Sequence, residues 1–182
     1  MERTLVVVKP DGMKRNLVGK IISRFEQEGL KVVAMKMVNV TKKLAEKHYT
    51  DSDTQVIGMG NKTLSATGET RSNELFGTAD AKKIGIKLRE WMIDFITSTP
   101  VVAFILEGHD AVAKVRKIVG FTDPTRADKG TIRGDLGTDS IMKANEEKRA
   151  TENLVHASGS VEEAEKEIKM WFDEKEIFSS KQ

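Results

Sequence analysis

Three short apolar runs, at residues 5–8, 32–35 and 101–106, constrain this chain more than any other feature. Each is almost continuously Val, Leu, Ile, Ala, Phe or Met, where a strand with one wet face would alternate apolar and polar residues. Such runs read as strands covered on both faces, by helices or by a partner subunit. The intervening segments carry a different period. Leu17, Val18, Ile21, Ile22 and Phe25 follow helical spacing up to Gly29, and Ile84, Leu88, Trp91, Met92, Phe95 and Ile96 do so ahead of Pro100. Strands are therefore expected at 4–9, 31–40, 101–106 and 153–157. Helices are expected around 17–28, at 42–49 with Thr41 as N-cap, at 84–96, at 111–119 and from Val161 to Phe172. Pro10-Asp11-Gly12 reads as a turn, with the glycine free to take positive φ.

Two stretches break the pattern. Residues 51–78 are rich in Gly, Ser, Thr, Asn and Asp with isolated apolar positions, which predicts a loop or partly mobile insertion. Residues 120–152 form a long irregular connection, with a charged piece at 140–150 that can be helical, and 173–182 is a polar tail. The pattern supports an α/β or α+β fold. A chain of 182 residues fits one domain, 1–182, and can bury a sizeable core.

Composition removes several classes of function. The chain has no cysteine, which excludes a disulfide framework and a cysteine nucleophile, and three histidines leave little ligand supply for zinc. Charges nearly cancel, at a formal +2, and the aromatics are not interleaved with a basic stripe, so no nucleic-acid partner is expected. No run approaches the roughly 20 apolar residues of a membrane span, and Met1 to Thr4 leads into a strand without a signal-peptide pattern. A cytoplasmic protein is expected.

The stretch with most chemical content is Asn153-Leu154-Val155-His156-Ala157-Ser158-Gly159-Ser160. A histidine at the end of a short apolar strand, just before a capped helix, is held rigidly and still faces a cleft. Ser160 and Glu163 have capping-box spacing, and Glu167 lies between Ala164 and Ile168 on the apolar side of that helix, placed to touch His156. A lone histidine beside apolar residues is usually structural, so this segment alone does not decide. Cations and hydroxyls suited to phosphate occur elsewhere: Lys9 after the first strand, Arg116, Thr122, and Arg133 in a loop flanked by Gly130 and Gly134.

Taken together, Val8-Lys9-Pro10-Asp11-Gly12, Gly130-Thr131-Ile132-Arg133-Gly134-Asp135 and the His156 stretch, in that order, resemble the nucleoside diphosphate kinase family over most of residues 2–178. The resemblance implies a ferredoxin-like βαββαβ core, an antiparallel sheet with extra helices, interrupted by insertions at about 52–80 and 138–150. It implies that His156 takes the γ-phosphoryl group of ATP or another nucleoside triphosphate and passes it to a nucleoside diphosphate, in a ping-pong cycle that maintains nucleotide pools. It assigns Lys9 and Asn153 to the sugar hydroxyls and phosphates and Arg116, Thr122 and Arg133 to the phosphates. Tyr49 packs near the histidine, Ser158 supports it, and Glu167 hydrogen-bonds the imidazole and sets its tautomer. Mg²⁺ is implied as cofactor, held mainly through the nucleotide phosphates with no protein ligand set of its own.

The chain departs from the family pattern at two points. Gly159 stands where relatives usually carry Asp, and counting back from Pro100 places Leu88 where an aromatic usually covers the base. A homo-oligomer is implied, hexamer favoured, with tetramer or dimer possible. The rival reading is a ferredoxin-like binding or regulatory module that keeps nucleotide affinity without turnover. Retention of Lys9, Arg116, Thr122, Arg133, Asn153, His156 and Glu167 together argues against decay of the site, because unpaired buried charges are expensive to keep.

Overall fold

The computed structural model describes residues 1–178; the last four residues of the expected tail lie outside the described residues. The chain divides into two compact units, residues 1–39, 99–138 and 153–182 in the first and 40–98 with 139–152 in the second.

The first unit is built on a four-stranded antiparallel sheet. Its strands are β1 (Glu2–Val8), β2 (Lys31–Val38), β3 (Val101–Gly108) and β4 (Val155–Ala157), in the order β2-β3-β1-β4. This is the expected ferredoxin-like arrangement. The same unit holds α1 (Pro10–Lys14) and α2 (Val18–Gln27). The second unit is built from helices, α3 (Lys42–His48), α4 (Asp53–Thr67), α5 (Glu69–Phe76) and α6 (Ala81–Ile96). The chain then gives α7 (Ala111–Val119), a 3-10 turn at Pro124–Arg126, α8 (Ile132–Leu136), α9 (Ile141–Glu146) of the second unit, and α10 (Val161–Trp171).

Every residue of β3 is buried, as is β1 from Thr4 onward, which agrees with their unbroken apolar runs. One face of the sheet presents Val6, Val8, Val102, Phe104 and Leu106 to a core shared with Ile21 and Phe25 of α2 and Val115 and Val119 of α7. Phe25 meets Phe104 with ring centroids 6.0 Å apart. Burying each such side chain fully contributes about 1.5–3 kcal/mol. The opposite face of β1 is covered by α10, which buries Ala164, Glu167, Ile168 and Trp171. β2 departs from expectation: it is an edge strand, and Met35 and Met37 are 57% and 67% exposed. Beside it, Lys36 donates to both Glu176 oxygens at 2.7 and 2.9 Å and lies 4.6 Å from the Phe172 ring centroid.

Two sequence expectations are corrected. Pro10-Asp11-Gly12 is the first turn of α1, with proline at its start, and Gly12 is not among the glycines of positive φ. The larger correction is 51–78, which is two helices, α4 and α5, where a loop was expected. Its glycines act in packing. A Cβ on Gly60 would lie 1.8 Å from the Ala81 carbonyl oxygen, and one on Gly85 would lie 1.7 Å from that of Val56, so α4 and α6 cross backbone against backbone. The charged piece at 140–150 is helical over α9, as its pattern allowed. In the same connection, α8 and the 3-10 turn are regular elements too short for periodicity to reveal.

Candidate active site

The first unit holds eight of the ten expected residues, and most of them gather around the start and end of β4. β1 delivers Lys9 just past its last residue, where the backbone N–H donates to the Leu154 carbonyl at 2.8 Å and Nζ donates to Asn153 Oδ1 at 2.9 Å. Asn153 is a hub: its Nδ2 donates to the Thr122 carbonyl at 2.9 Å, and its own carbonyl accepts from Arg133 Nε at 3.0 Å. Lys9 and Asn153 are both buried.

Arg133 lies on α8, which Thr131 caps by accepting the Gly134 N–H at 3.0 Å. Its guanidinium is buried and is spread over three backbone carbonyls. Besides Asn153, Nη1 donates to Gly120 at 3.1 Å and Nη2 to Val155 at 2.8 Å. Of these three bonds, those to Asn153 and Val155 brace the start of the strand that carries the histidine, and the third ties the guanidinium to Gly120 beyond α7. Of the two flanking glycines, Gly134 serves the loop itself: a Cβ there would meet the Asp128 carbonyl at 2.0 Å, so the glycine lets the loop close on itself. Burial, reinforced by the nearby charge of Arg116 and opposed by Asp11, lowers the Arg133 pKa to about 10, which leaves it protonated at neutral pH. Arg116 is exposed on α7 and Thr122 half-buried beyond it. Two guanidinium groups, one near enough to act on the charge of Arg133, suit a polyanion.

β4 pairs with β1 in the register Val7 to His156, which holds the histidine backbone rigidly. His156 Nε2 is 2.8 Å from Glu167 Oε1 and 3.0 Å from Oε2. Glu167 is buried on α10, and Ser158 Oγ donates to its Oε2 at 2.6 Å. A carboxylate only accepts, so the geometry assigns the ring hydrogen to Nε2 and the lone pair to Nδ1. That is the state a nucleophilic imidazole needs.

Gly159 N–H donates to Glu163 Oε2 at 2.6 Å, and Glu163 N–H returns to Ser160 Oγ at 3.2 Å. A Cβ on residue 159 would come within 2.5 Å of that same Glu163 oxygen, so the carboxylate stands where an aspartate side chain would begin. The departure at Gly159 thus has a local structural partner. Asp11 was read only as part of its motif, and Gly12 only as a turn glycine. Both converge on Leu154: Asp11 Oδ2 accepts its N–H at 2.9 Å, and a Cβ on Gly12 would lie 3.1 Å from its carbonyl oxygen.

Tyr49 and Leu88 belong to the second unit. Tyr49 is buried, follows α3 with its ring edge-on to His48 at 4.7 Å, and its carbonyl accepts from Arg89 Nε at 2.6 Å. Leu88 is half-buried on α6.

The nucleoside diphosphate kinase family model matches residues 2–58 and 81–177. The chain belongs to the nucleoside diphosphate kinase family. It is 45% identical over 179 residues to a nucleoside diphosphate kinase of Pyrobaculum aerophilum, covering 97% of this chain and 98% of that one. It is 43% identical to one of Pyrococcus abyssi, covering 97% and 87%. A crystal structure of an NDP kinase from Pyrobaculum aerophilum superposes with a TM-score of 0.92 at 43% identity, over 98% of this chain and 99% of that one. A nucleoside diphosphate kinase from Borrelia burgdorferi, a transition-state mimic with bound vanadate and ADP, has a TM-score of 0.77 at 35% identity, over 100% and 92%. The family model omits residues 59–80, within the first insertion read from sequence, while the fold superposes on nucleoside diphosphate kinases across nearly the whole chain. Among the described residues no helix is long and apolar enough to cross a membrane.

Proposed function

We infer that this chain catalyses phosphoryl transfer from ATP or another nucleoside triphosphate to a nucleoside diphosphate, with His156 as the covalent carrier. The observation that carries the assignment of His156 is its Nε2 contact with the buried Glu167 carboxylate. With Nε2–H donated to Glu167, the Nδ1 lone pair attacks the γ-phosphorus, the bond to the bridging oxygen breaks, and the nucleoside diphosphate leaves with that electron pair. In the second half, a terminal oxygen of the acceptor diphosphate attacks phosphorus and the P–N bond breaks, which returns the lone pair to Nδ1. Glu167 stabilises the charge that develops on the ring during each half, and Ser158 holds Glu167 in place.

Lys9, Arg116, Thr122, Arg133 and Asn153 hold phosphates and sugar. Support comes from the bonds that join Lys9, Thr122 and Arg133 through Asn153, and from the paired guanidinium groups. Tyr49 and Leu88 are assigned to the nucleotide by family resemblance. Mg²⁺ fits a mode of binding in which it arrives on the phosphates. The carboxylates bonded into the cluster are engaged, Asp11 with Leu154 and Glu167 with His156 and Ser158, while the remaining groups are cations and amides suited to phosphate oxygens. When bound, the ion neutralises charge on the transferred oxygens.

Both units form one catalytic domain in this reading, because the family model runs through residues of each. A homo-oligomer, with hexamer favoured, is supported by the edge position of β2 and its exposed Met35 and Met37. Light scattering behind size exclusion reads the number of subunits. Nucleotide substrates agree with a cytoplasmic location, which cell fractionation tests.

The deciding experiment incubates the protein briefly with γ-labelled ATP and then adds unlabelled diphosphate. Label that is acid-labile and base-stable, absent from His156→Ala and discharged onto the acceptor, is expected. Nucleotide binding without label on the wild type would leave only a binding module.

A further inference from the structure

Leu154 is a fully buried leucine with φ +70°, a conformation that bulky L-residues seldom adopt. Val155 N–H donates to the Asn153 carbonyl at 2.8 Å, closing a three-residue turn centred on Leu154 with the rare positive φ. This turn separates Asn153, the hub of the phosphate-facing residues, from the strand that carries His156. A strained backbone persists only where its surroundings over-determine it.

Those surroundings are supplied by one sequence motif. Lys9 N–H donates to the Leu154 carbonyl, Gly12 leaves room beside that same oxygen, and Asp11 Oδ2 accepts the Leu154 N–H at 2.9 Å. Asp11 is buried, and its other oxygen, Oδ1, has no hydrogen-bond partner among the described residues. A half-satisfied buried carboxylate is costly, so packing alone does not account for an aspartate here.

We propose that Asp11 is a positioning residue for phosphoryl transfer: by accepting the Leu154 N–H it holds the left-handed turn that fixes Asn153 and aims His156. The proposal rests on the reading of His156 as the phosphoryl carrier. Its competitor is that Asp11 serves as a counter-charge for buried Arg133, whose protonation it favours. Replacement by asparagine separates the two, because Asn keeps an acceptor oxygen and loses the charge.

The test measures single-turnover labelling of His156 by γ-labelled ATP at saturating nucleotide, alongside hydrogen-deuterium exchange at the Leu154 amide. It uses the full chain as wild type, Asp11→Ala and Asp11→Asn. Asp11→Ala is expected to lose Leu154 protection and to slow labelling by about 10- to 100-fold, the scale that misplacing a reacting group by an ångström produces. Asp11→Asn is expected to restore most of the protection and most of the rate. A wild-type rate in Asp11→Ala overturns the proposal, and so does an Asp11→Asn variant that keeps Leu154 protected yet labels as slowly as Asp11→Ala. If Asp11→Ala does not fold, Asp11→Asn decides alone: protection with near wild-type rate supports the role, and protection with a lost rate assigns Asp11 to charge. Absence of label on the wild type sinks the functional reading itself, whereas a labelled wild type with an undiminished Asp11→Ala sinks only this inference.

Discussion

In the proposed reaction, single atoms set the chemistry at His156. Glu167 is buried and accepts from both Ser158 Oγ and the imidazole, so its two oxygens are committed to one arrangement. Glu167→Gln keeps the shape but offers an amide that can donate to the ring, which favours the tautomer with hydrogen on Nδ1. Its phosphorylation rate is expected to fall by about 10²–10⁴, the usual contribution of a positioned acid-base group, with little change in nucleotide KM. Rapid-quench labelling reads the rate directly, and a loss confined to KM would place Glu167 in nucleotide binding instead. The contact itself was legible beforehand, because a carboxylate on the apolar side of a capped helix demands a partner. The threefold carbonyl bonding of Arg133 was not legible, since its acceptors lie on both sides of it in sequence, Gly120 13 residues before and Asn153 and Val155 20 and 22 residues after.

Two predictions belong to whole elements. The α4–α6 crossing brings backbones together at Gly60 and Gly85, where any Cβ would strike a carbonyl of the opposing helix. Gly60→Ala gains helix propensity but forces the helices apart, and the net effect expected is a loss of about 1–3 kcal/mol in a denaturant titration. The second concerns Asp139. Burial pushes its carboxyl up, but bonds from Arg149 and from the Glu152 and Ser140 N–H groups outweigh it and hold it below the ordinary carboxylate range. Arg149 reaches both oxygens, at 2.6 and 3.0 Å, and Glu152 N–H lies at 2.8 Å. A depressed carboxylate stabilises the fold above its unfolded pKa of about 3.9, and that stabilisation drains away as pH falls through the lower, folded value. Amide protection of Glu152 is therefore expected to hold at neutral pH and weaken below about pH 4. Asp139→Asn should flatten that dependence. α4 could not be read from sequence, because a glycine placed for a helix crossing looks the same as a glycine in a loop, and α5 is a short polar helix between Gly68 and Gly77 with little apolar period to reveal it.

On the scale of the whole molecule, the residues the family model leaves out are part of a packed unit. Within residues 59–80, Thr63 and Ser72 are buried, and Gly60 meets Ala81 at the start of α6. Deleting 59–80 is therefore expected to destabilise the chain, lowering its melting temperature by at least about 4–8 °C, which corresponds to ~2 kcal/mol at this length. A deletion variant that melts like the wild type would show the insertion to be dispensable for folding. The four strands, the helices α2, α3, α6, α7 and α10, the buried character of β1 and β3, the cap at Ser160 and the short motifs of the family were determined by the sequence itself. Each rests on local periodicity, on capping spacing or on short motifs, which neighbours along the chain encode. Only the tertiary structure decided that 51–78 is helical, that β2 lies at an edge with exposed methionines, that Arg133 braces β4, and that Asp11 holds a left-handed turn at Leu154. Those features depend on which distant backbone groups meet, and a donor 143 residues away in sequence leaves no periodic trace.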